Sequence, residues 1–328
     1  MEDVSVDNLR ALLKMFSRKK VLVVGDVMAD EYIWGRVTRV SPEAPIPVVQ
    51  VTGETSRPGG AANVAHNLHT LGAQVHLVGI IGADVTGRRL TQLLQEKGVE
   101  TGGLVVDRDR PTIQKTRVIA QHQQVVRIDR ERLVEISGAI FKQVLDHCAD
   151  ILPRVDAVLL SDYAKGLLTS KLVGEVVALA RAGRKLVTAD PKPRNIGFFK
   201  GVSLISPNTG EAEAASGVHI LGPESVLEAG QKLIQMLDCQ AVLVTRGEDG
   251  MSLVEKDGGS LHVPTKAKEV FDVSGAGDTV ISTLTLALAA GGSYRESAVL
   301  ANYAAGIVVG EVGVATVTTT EIEAALGS

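Results

Sequence analysis

Six short runs dominated by Val, Ile, Leu and Ala recur along this chain: VLVVGD (21–26), AQVHLVGIIG (73–82), AVLLSD (157–162), KLVTAD (185–190), VSLISP (202–207) and AVLVTRG (241–247). A strand with one wet face alternates apolar and polar residues, whereas a strand covered on both faces does not. Between the runs lie segments of helical pattern, at 61–71, 86–97, 171–182 and 225–237. Doubly covered strands separated by helices predict an α/β fold, with a mostly parallel sheet enclosed between helical layers.

Four of these strands lead into a polar residue: Asp26, Asp162, Asp190 and Asn208. Ligands of open parallel sheets bind beyond the carboxyl ends of the strands, which makes these residues the first site candidates. Two segments break the rhythm. IPVVQVTGETSRP (46–58) and LVVDRDRPTIQKTRVIAQHQQVVRID (104–129) are rich in Val, Ile, Thr and Gln, with partial alternation. They predict antiparallel strands with one wet face, forming a small sheet that projects as a lid, a dimer surface or both. The expected organisation is one domain over 1–328, with lid strands from about 34–56 and 104–130.

Composition narrows the function classes. A net charge of −4, without a long run of one sign, gives no electrostatic case for nucleic acid. No stretch reaches the roughly 18 uninterrupted apolar residues of a spanning helix. The N-terminal MEDVSVDNLRALLKMFSRKK reads as a polar amphipathic helix rather than a signal peptide. Cys148 and Cys239 have no metal-site spacing, which suits a reducing compartment. The expectation is a soluble, cytoplasmic protein with no membrane partner.

DVSGAGD (272–278) places three very small residues, Gly275, Ala276 and Gly277, between two aspartates and just ahead of the apolar run VISTLTLALAAGG. A helix start leaves about four backbone N–H groups unpaired and carries roughly half a positive charge. Small residues there leave the donors open to an anion, and Asp278 stands beside them. Such a pairing suits phosphoryl transfer: the acid accepts a hydroxyl's proton while the N–H groups hold charge on the transferred phosphate. Caps and turns use the same residue types, so the loop alone leaves a purely structural reading open. It is not a Walker loop, and GAGDTV lacks the third glycine of a dinucleotide fingerprint. A second glycine pair, Gly59 and Gly60 in RPGGAANVAHNLHTLGA (57–73), again precedes a helix, with Asn63 in its first turn. Glycines permit close approach to a ligand, and the asparagine can both donate and accept. A tight turn at a helix start would explain them equally. Two such loops, far apart in sequence, suggest a site for two ligands.

Together these motifs resemble those of the PfkB, or ribokinase-like, family of carbohydrate kinases. Gly59, Gly60, Asn63, Ala65, Gly72 and Gly82 have the spacing of its first signature, and DVSGAGD matches its second. Thr283 departs from the Gly or Ala usual at that position. The resemblance covers nearly the whole chain and implies a ribokinase-like three-layer αβα sandwich with a β-sheet lid. It implies ATP and Mg2+ as cofactors, with K+ often an activator. Asp278 would be the base, and Gly275, Ala276 and Gly277 the anion hole for the γ-phosphate. Placed at a helix start, Asp278 should stay ionised at neutral pH. Asn208 and Glu211, from SPNTGE, would serve Mg2+ and the ATP phosphates. Their oxygens suit Mg2+, often through water, although the same two residues also spell a helix capping box. Thr245, Arg246 and Gly247, and Asn302 in ANYAAG, would surround the nucleotide. Asp26 would accept sugar hydroxyls beside Gly59, Gly60 and Asn63, since an ionised carboxylate can receive two at once.

Within the family, GDVMADEYIWGRVTRVSPEAPIPVV (25–49), SDYAKGLL (161–168) and ADPKPRN (189–195) are similar to the D-glycero-β-D-manno-heptose 7-phosphate kinases of ADP-heptose synthesis, which feeds the lipopolysaccharide inner core. That similarity implies phosphorylation at C1 to the 1,7-bisphosphate. A chain ending at Ser328 looks like the kinase without the nucleotidyltransferase often fused to it. A phosphorylated substrate needs cations. Candidates are Lys165 and Lys192 beside strand ends, and Arg39, Arg110, Arg117 and Arg127 in the expected lid, with Asp162 either touching sugar or pairing with Lys165. A different acceptor (ribose, a fructose phosphate or a nucleoside) and a non-catalytic sensor on the same scaffold stay open. An aromatic content of 3% argues against a base-stacking nucleoside pocket. A homodimer through the lid strands is expected, because exposed strand edges tend to be paired or covered.

Overall fold

The computed structural model describes residues 4–121, 123–267, 272–311 and 313–327. In chain order its strands are β1 (Lys20–Gly25), β2 (Val27–Val40), β3 (Pro47–Gly60), β4 (Gln74–Gly82), β5 (Glu100–Asp107), β6 (Ile113–Ala120), β7 (Gln123–Arg130), β8 (Ala157–Ser161), β9 (Leu186–Asp190), β10 (Leu204–Ile205), β11 (Ala241–Thr245), β12 (Met251–Glu255) and β13 (Ser260–Val263). The helices are α1 (Val6–Met15), α2 (Ala61–Thr70), α3 (Val85–Glu96), α4 (Gly138–Ile151), α5 (Ser170–Ala182), α6 (Thr209–Ser216), α7 (Pro223–Leu237), α8 (Ala276–Ala289), α9 (Tyr294–Val308) and α10 (Thr319–Leu326).

Nine strands form the main sheet in the order β13-β12-β11-β10-β9-β8-β1-β4-β5. All neighbours are parallel except the β11–β12 and β12–β13 pairs. The sheet separates two cores. Val21 and Val23 of β1 pack with α1, α2, α8, α9 and α10, while Leu22 and Val24 face α4, α5 and α7. Successive residues of a strand point to opposite faces, and with both faces covered the strand has to be apolar throughout. This is the three-layer αβα sandwich, as expected. Residues from Asp278 to Ala287 of α8 are all buried. Among them Thr283 has a hydroxyl without a hydrogen-bond partner.

The second sheet has the order β3-β2-β6-β7, and it departs from the sequence reading in three ways. It starts at Val27, one residue after β1, rather than near residue 34. Its β2–β6 pair is parallel, not antiparallel. Of the segment 104–129, only the part from Ile113 onward enters it; β5 is the parallel edge strand of the main sheet. An edge strand with one side partly wet shows the alternation that had suggested a separate sheet. His122, inside the expected lid segment, lies outside the described residues. The strand expected over 202–207 shrinks to the two residues of β10. Among the described residues no helix is long and apolar enough to cross a membrane.

Candidate active site

The carboxyl ends of β1, β8 and β9 converge on the start of α8. Gly275 caps that helix with φ 82°, a left-handed conformation that glycine adopts without strain. The Ala276 N–H bonds the Val273 carbonyl at 3.2 Å and the Thr279 N–H bonds the Gly275 carbonyl at 3.1 Å. Among the described residues no bond joins the N–H groups of Gly277 and Asp278 between them. A Cβ on Gly277 would meet nothing within 4 Å, so no other part of the chain crowds that side of the turn.

Asp278 is 6% exposed. Its Oδ2 accepts from Asn63 Nδ2 at 2.6 Å and its Oδ1 from the Tyr163 hydroxyl at 2.5 Å. Burial pushes the carboxyl up to about 6, against the pull of these two hydrogen bonds and of Lys192. Although it stands at a helix start, where the dipole favours the charged form, desolvation prevails and the pKa rises. A carboxylate titrating near 6 is still mostly ionised at neutral pH and is well matched to accept a proton.

Asn63 is held by the α2–α8 junction. Asn67 Nδ2 donates to the Asn63 carbonyl at 2.9 Å, and Thr279 Oγ1 donates to Asn67 Oδ1 at 2.9 Å. The glycine pair ahead of α2 serves a close approach, but the approach is by the chain itself. A Cβ at Gly60 would strike the Asp26 carbonyl, and one at Gly59 would strike the Asp30 carboxylate.

Asp26 and Asp162 differ from the sequence reading. Asp26 is 3% exposed and accepts the backbone N–H groups of Tyr163, Lys165 and Leu167 at 3.0, 2.9 and 3.2 Å. Burial pushes it up to about 6 in spite of these donors. Asp162 accepts the N–H groups of Ala164 and Lys192 and the Asn195 amide. Neither carboxylate is left open to a sugar; together they fasten the 163–167 loop. The acid from β2 that bears on Asp278 is Asp30, whose charge disfavours ionisation of Asp278. Sequence reasoning passed over Asp30, although it shares the GDVMAD motif with Asp26 and lies two residues from buried Tyr32 on β2. It also passed over Tyr163, which sits between the two SDYAKG residues it chose.

Asn208 and Glu211 form the capping box of α6, with Asn208 Oδ1 accepting the Glu211 N–H at 2.9 Å and Glu211 Oε2 accepting the Asn208 N–H at 3.0 Å. Glu211 Oε1 also meets Lys192 Nζ at 2.6 Å. Asp190 is enclosed nearby. Burial pushes it up to about 8, with Lys192 opposing and Glu211, Asp278 and Asp162 adding to the rise. Lys192 is shifted upward, the carboxylates of Asp190 and Glu211 outweighing its own desolvation. The described residues contain no set of three His, Cys, Asp or Glu side chains arranged to hold a metal alone. An acid cluster with one ammonium among it nevertheless has the charge deficit that a divalent cation, completed by phosphate oxygens and water, would fill.

Several predicted residues turn elsewhere. Arg246 folds onto the β12–β13 hairpin, near Asp249, Ser252 and His262. Asn302 is buried and donates to the Pro264 carbonyl at 2.7 Å, tying α9 to the segment after β13. Thr245 closes β11 against Pro207, and a Cβ at Gly247 would meet nothing within 4 Å. Most of the cation candidates already have a carboxylate: Lys165 with Glu131, Arg110 with Asp107, Arg117 with Asp30 and Arg127 with Asp129. Arg110 is buried in its pair, Arg127 is exposed on β7, and Arg39 is exposed on β2. Of the four paired residues, only Arg117 has a partner, Asp30, whose charge bears on Asp278.

A model of the pfkB family carbohydrate kinases matches residues 18–321. The chain belongs to that family. This kinase is 45% identical over 320 residues to the bifunctional protein HldE of Geobacter sulfurreducens, covering 98% of the chain and 65% of the relative. The corresponding protein of Geobacter metallireducens is 45% identical over 327 residues, 100% of the chain and 66% of the relative. The kinase thus spans about two thirds of the length of these curated relatives. Its fold matches Arabidopsis thaliana ribokinase complexed with ribose and ATP, with a TM-score of 0.78 at 21% identity over 94% of this chain and 98% of the other. Escherichia coli phosphofructokinase-2 in complex with potassium matches with a TM-score of 0.78 at 18% identity, over 94% and 100%.

Proposed function

We propose that this sugar kinase transfers the γ-phosphate of ATP to the C1 hydroxyl of D-glycero-β-D-manno-heptose 7-phosphate, giving the 1,7-bisphosphate. The observation that carries phosphoryl transfer is the Asp278 carboxylate standing beside unpaired N–H groups at the start of a buried helix. The acceptor rests on the resemblance of 25–49, 161–168 and 189–195 to heptose 7-phosphate kinases.

In the proposed reaction Asp278 takes the proton of the anomeric hydroxyl as that oxygen bonds to the γ-phosphorus. The bond from phosphorus to the bridging oxygen breaks, and ADP leaves with its electron pair. The N–H groups of Gly277 and Asp278 hold charge on the transferring phosphoryl oxygens, with Gly275 and Ala276 shaping the turn that exposes them. Asn208 and Glu211 would hold Mg2+ through water, where its charge would neutralise the β- and γ-phosphate oxygens. Asp30 receives sugar hydroxyls, and Arg117, released from Asp30, meets the substrate phosphate.

An ADP-release assay over sugars with and without a terminal phosphate tests the acceptor. The heptose 7-phosphate should give the highest kcat/KM; preference for an unphosphorylated sugar rejects it. A homodimer through the second sheet is also proposed, supported by β7, an edge strand whose eight residues are all exposed and include Val126 and Ile128. A monomeric mass at micromolar concentration would count against it.

A further inference from the structure

Resting on the reading of Asp278 as the base, we propose that Tyr163 is a positioning residue of the phosphoryl transfer. With Asn63 it clamps one lone pair on each carboxylate oxygen of Asp278 and leaves the others for the acceptor hydroxyl. An ionised carboxylate offers about four lone-pair sites. The phenol takes one on Oδ1 at 2.5 Å and the Asn63 amide one on Oδ2 at 2.6 Å. The plane of the acid is thus fixed from two directions, by the loop after β8 and by the first turn of α2.

Tyr163 is itself held on three sides. Its N–H donates to Asp26 at 3.0 Å. The next residue, Ala164, is turned into the left-handed region at φ 56°, and its N–H reaches Asp162 at 2.7 Å. The Lys192 ammonium lies 5.4 Å from the centre of the Tyr163 ring, within range of a cation–π attraction. Asp26 and Asp162 therefore act at a distance: they hold the loop, the loop holds the phenol, and the phenol holds the base. Burial first, and then the charge of Asp278, keep ionisation of this phenol well above its usual value, so it is a permanent donor.

The groups bearing on Asp278 are Tyr163 from the β8 loop, Asn63 from α2, Asp30 from β2, and Lys192 and Asp190 from the end of β9. Tyr163, Asn63 and Lys192 favour the ionised base, whereas Asp30 opposes it. Removing the phenol hydroxyl leaves burial and repulsion in place and withdraws one of the stabilising donors. Asp278 should then hold its proton to higher pH.

Tyr163→Phe keeps the ring and its contact with Lys192 and deletes one oxygen. The acid limb of kcat/KM should move up by about one pH unit, so that activity falls about fivefold near pH 6, about tenfold below pH 5, and recovers substantially near pH 8.5. The KM for ATP should not change. An unmoved acid limb overturns the proposal in each of its forms: with full rate, the phenol is idle; with a raised sugar KM, it is a substrate contact; with a lowered Tm, it is only structural. Asp278→Asn, measured beside it, separates the two readings. Near-normal turnover there removes the base itself, while an inactive Asp278→Asn with an unaltered Tyr163→Phe profile removes only the role of the tyrosine.

Discussion

Asp26 and Asp278 are both almost inaccessible, at 3% and 6% exposure, and burial pushes both up to about 6. Their partners set them apart. Asp26 is surrounded by three backbone N–H groups of one loop, which cannot leave without unravelling it. Asp278 is met by two side chains and sits beside helix N–H groups that have no partner among the described residues. A perturbed carboxylate is a candidate for chemistry, but the perturbation does not distinguish a fastener from a base. The donors do, since two side-chain donors leave lone pairs of Asp278 open to a substrate hydroxyl whereas three N–H groups of a loop crowd Asp26.

The largest expected effects are crossed substitutions of this pair. Asp278→Asn should lower kcat about 10³-fold, with KM for either substrate little changed and Tm nearly that of the parent. Asp26→Ala leaves three buried donors unsatisfied, which costs about 3 kcal/mol or more and should lower Tm by roughly 5 °C or more. Steady-state kinetics and thermal melts on the two variants decide the matter. An Asp26 variant with unchanged Tm and lost turnover would place both acids in the chemistry.

A smaller effect, of opposite sign, is expected at Asp190. Its folded pKa of about 8 lies above the 3.8 of an ordinary aspartate, so its contribution to stability is complete below about 3.8 and is lost as pH rises through 8. Asn stays neutral throughout that window. Asp190→Asn should therefore match the parent near pH 4 and gain about 2–4 °C in Tm near pH 8, while slowing turnover because Lys192 and Glu211 lose a neighbour. A gain that is the same at both pH values would mean that Asp190 is not held protonated by its surroundings.

Much of this arrangement was legible in the chain, for identifiable reasons. The doubly covered strands could be read because a strand packed on both faces has to be apolar, and β1, β4, β8, β9 and β11 meet that condition. β5 misled because an edge position gives a parallel strand the alternation of an exposed one. β2 was under-read at its start because Val27, Met28 and Ala29 are as buried as β1, and the alternation of a half-wet strand begins only further along. Asp278 was visible because DVSGAGD, taken together with the distant glycine pair, matches a family signature, whereas the loop alone could have been a cap. Asp30 and Tyr163 were not, since nothing local says where a side chain points once its strand or loop is placed. The partners of Asp26 are backbone groups 137 to 141 residues away, which sequence pattern does not record.

The smallest effect is expected where sequence reasoning placed a phosphate ligand, at Arg127. This residue lies on β7, its side chain 52% exposed, and its guanidinium meets Asp129 at 2.9 Å across two residues of the same strand. Exposed pairs of this kind contribute about 0–1 kcal/mol, because both ions give up hydration and freedom for little Coulomb gain. Arg127→Ala should accordingly leave Tm within about 1 °C and the sugar-phosphate KM within about twofold, whereas Arg117→Gln, beside Asp30, should raise that KM about tenfold or more. Measured together, the two arginines show how far the second sheet participates. A tenfold rise in KM from Arg127→Ala would mean that β7 reaches the sugar phosphate, by closing over its own site or by reaching that of a second copy, and Arg127 would then belong with the cavity rather than with the rim.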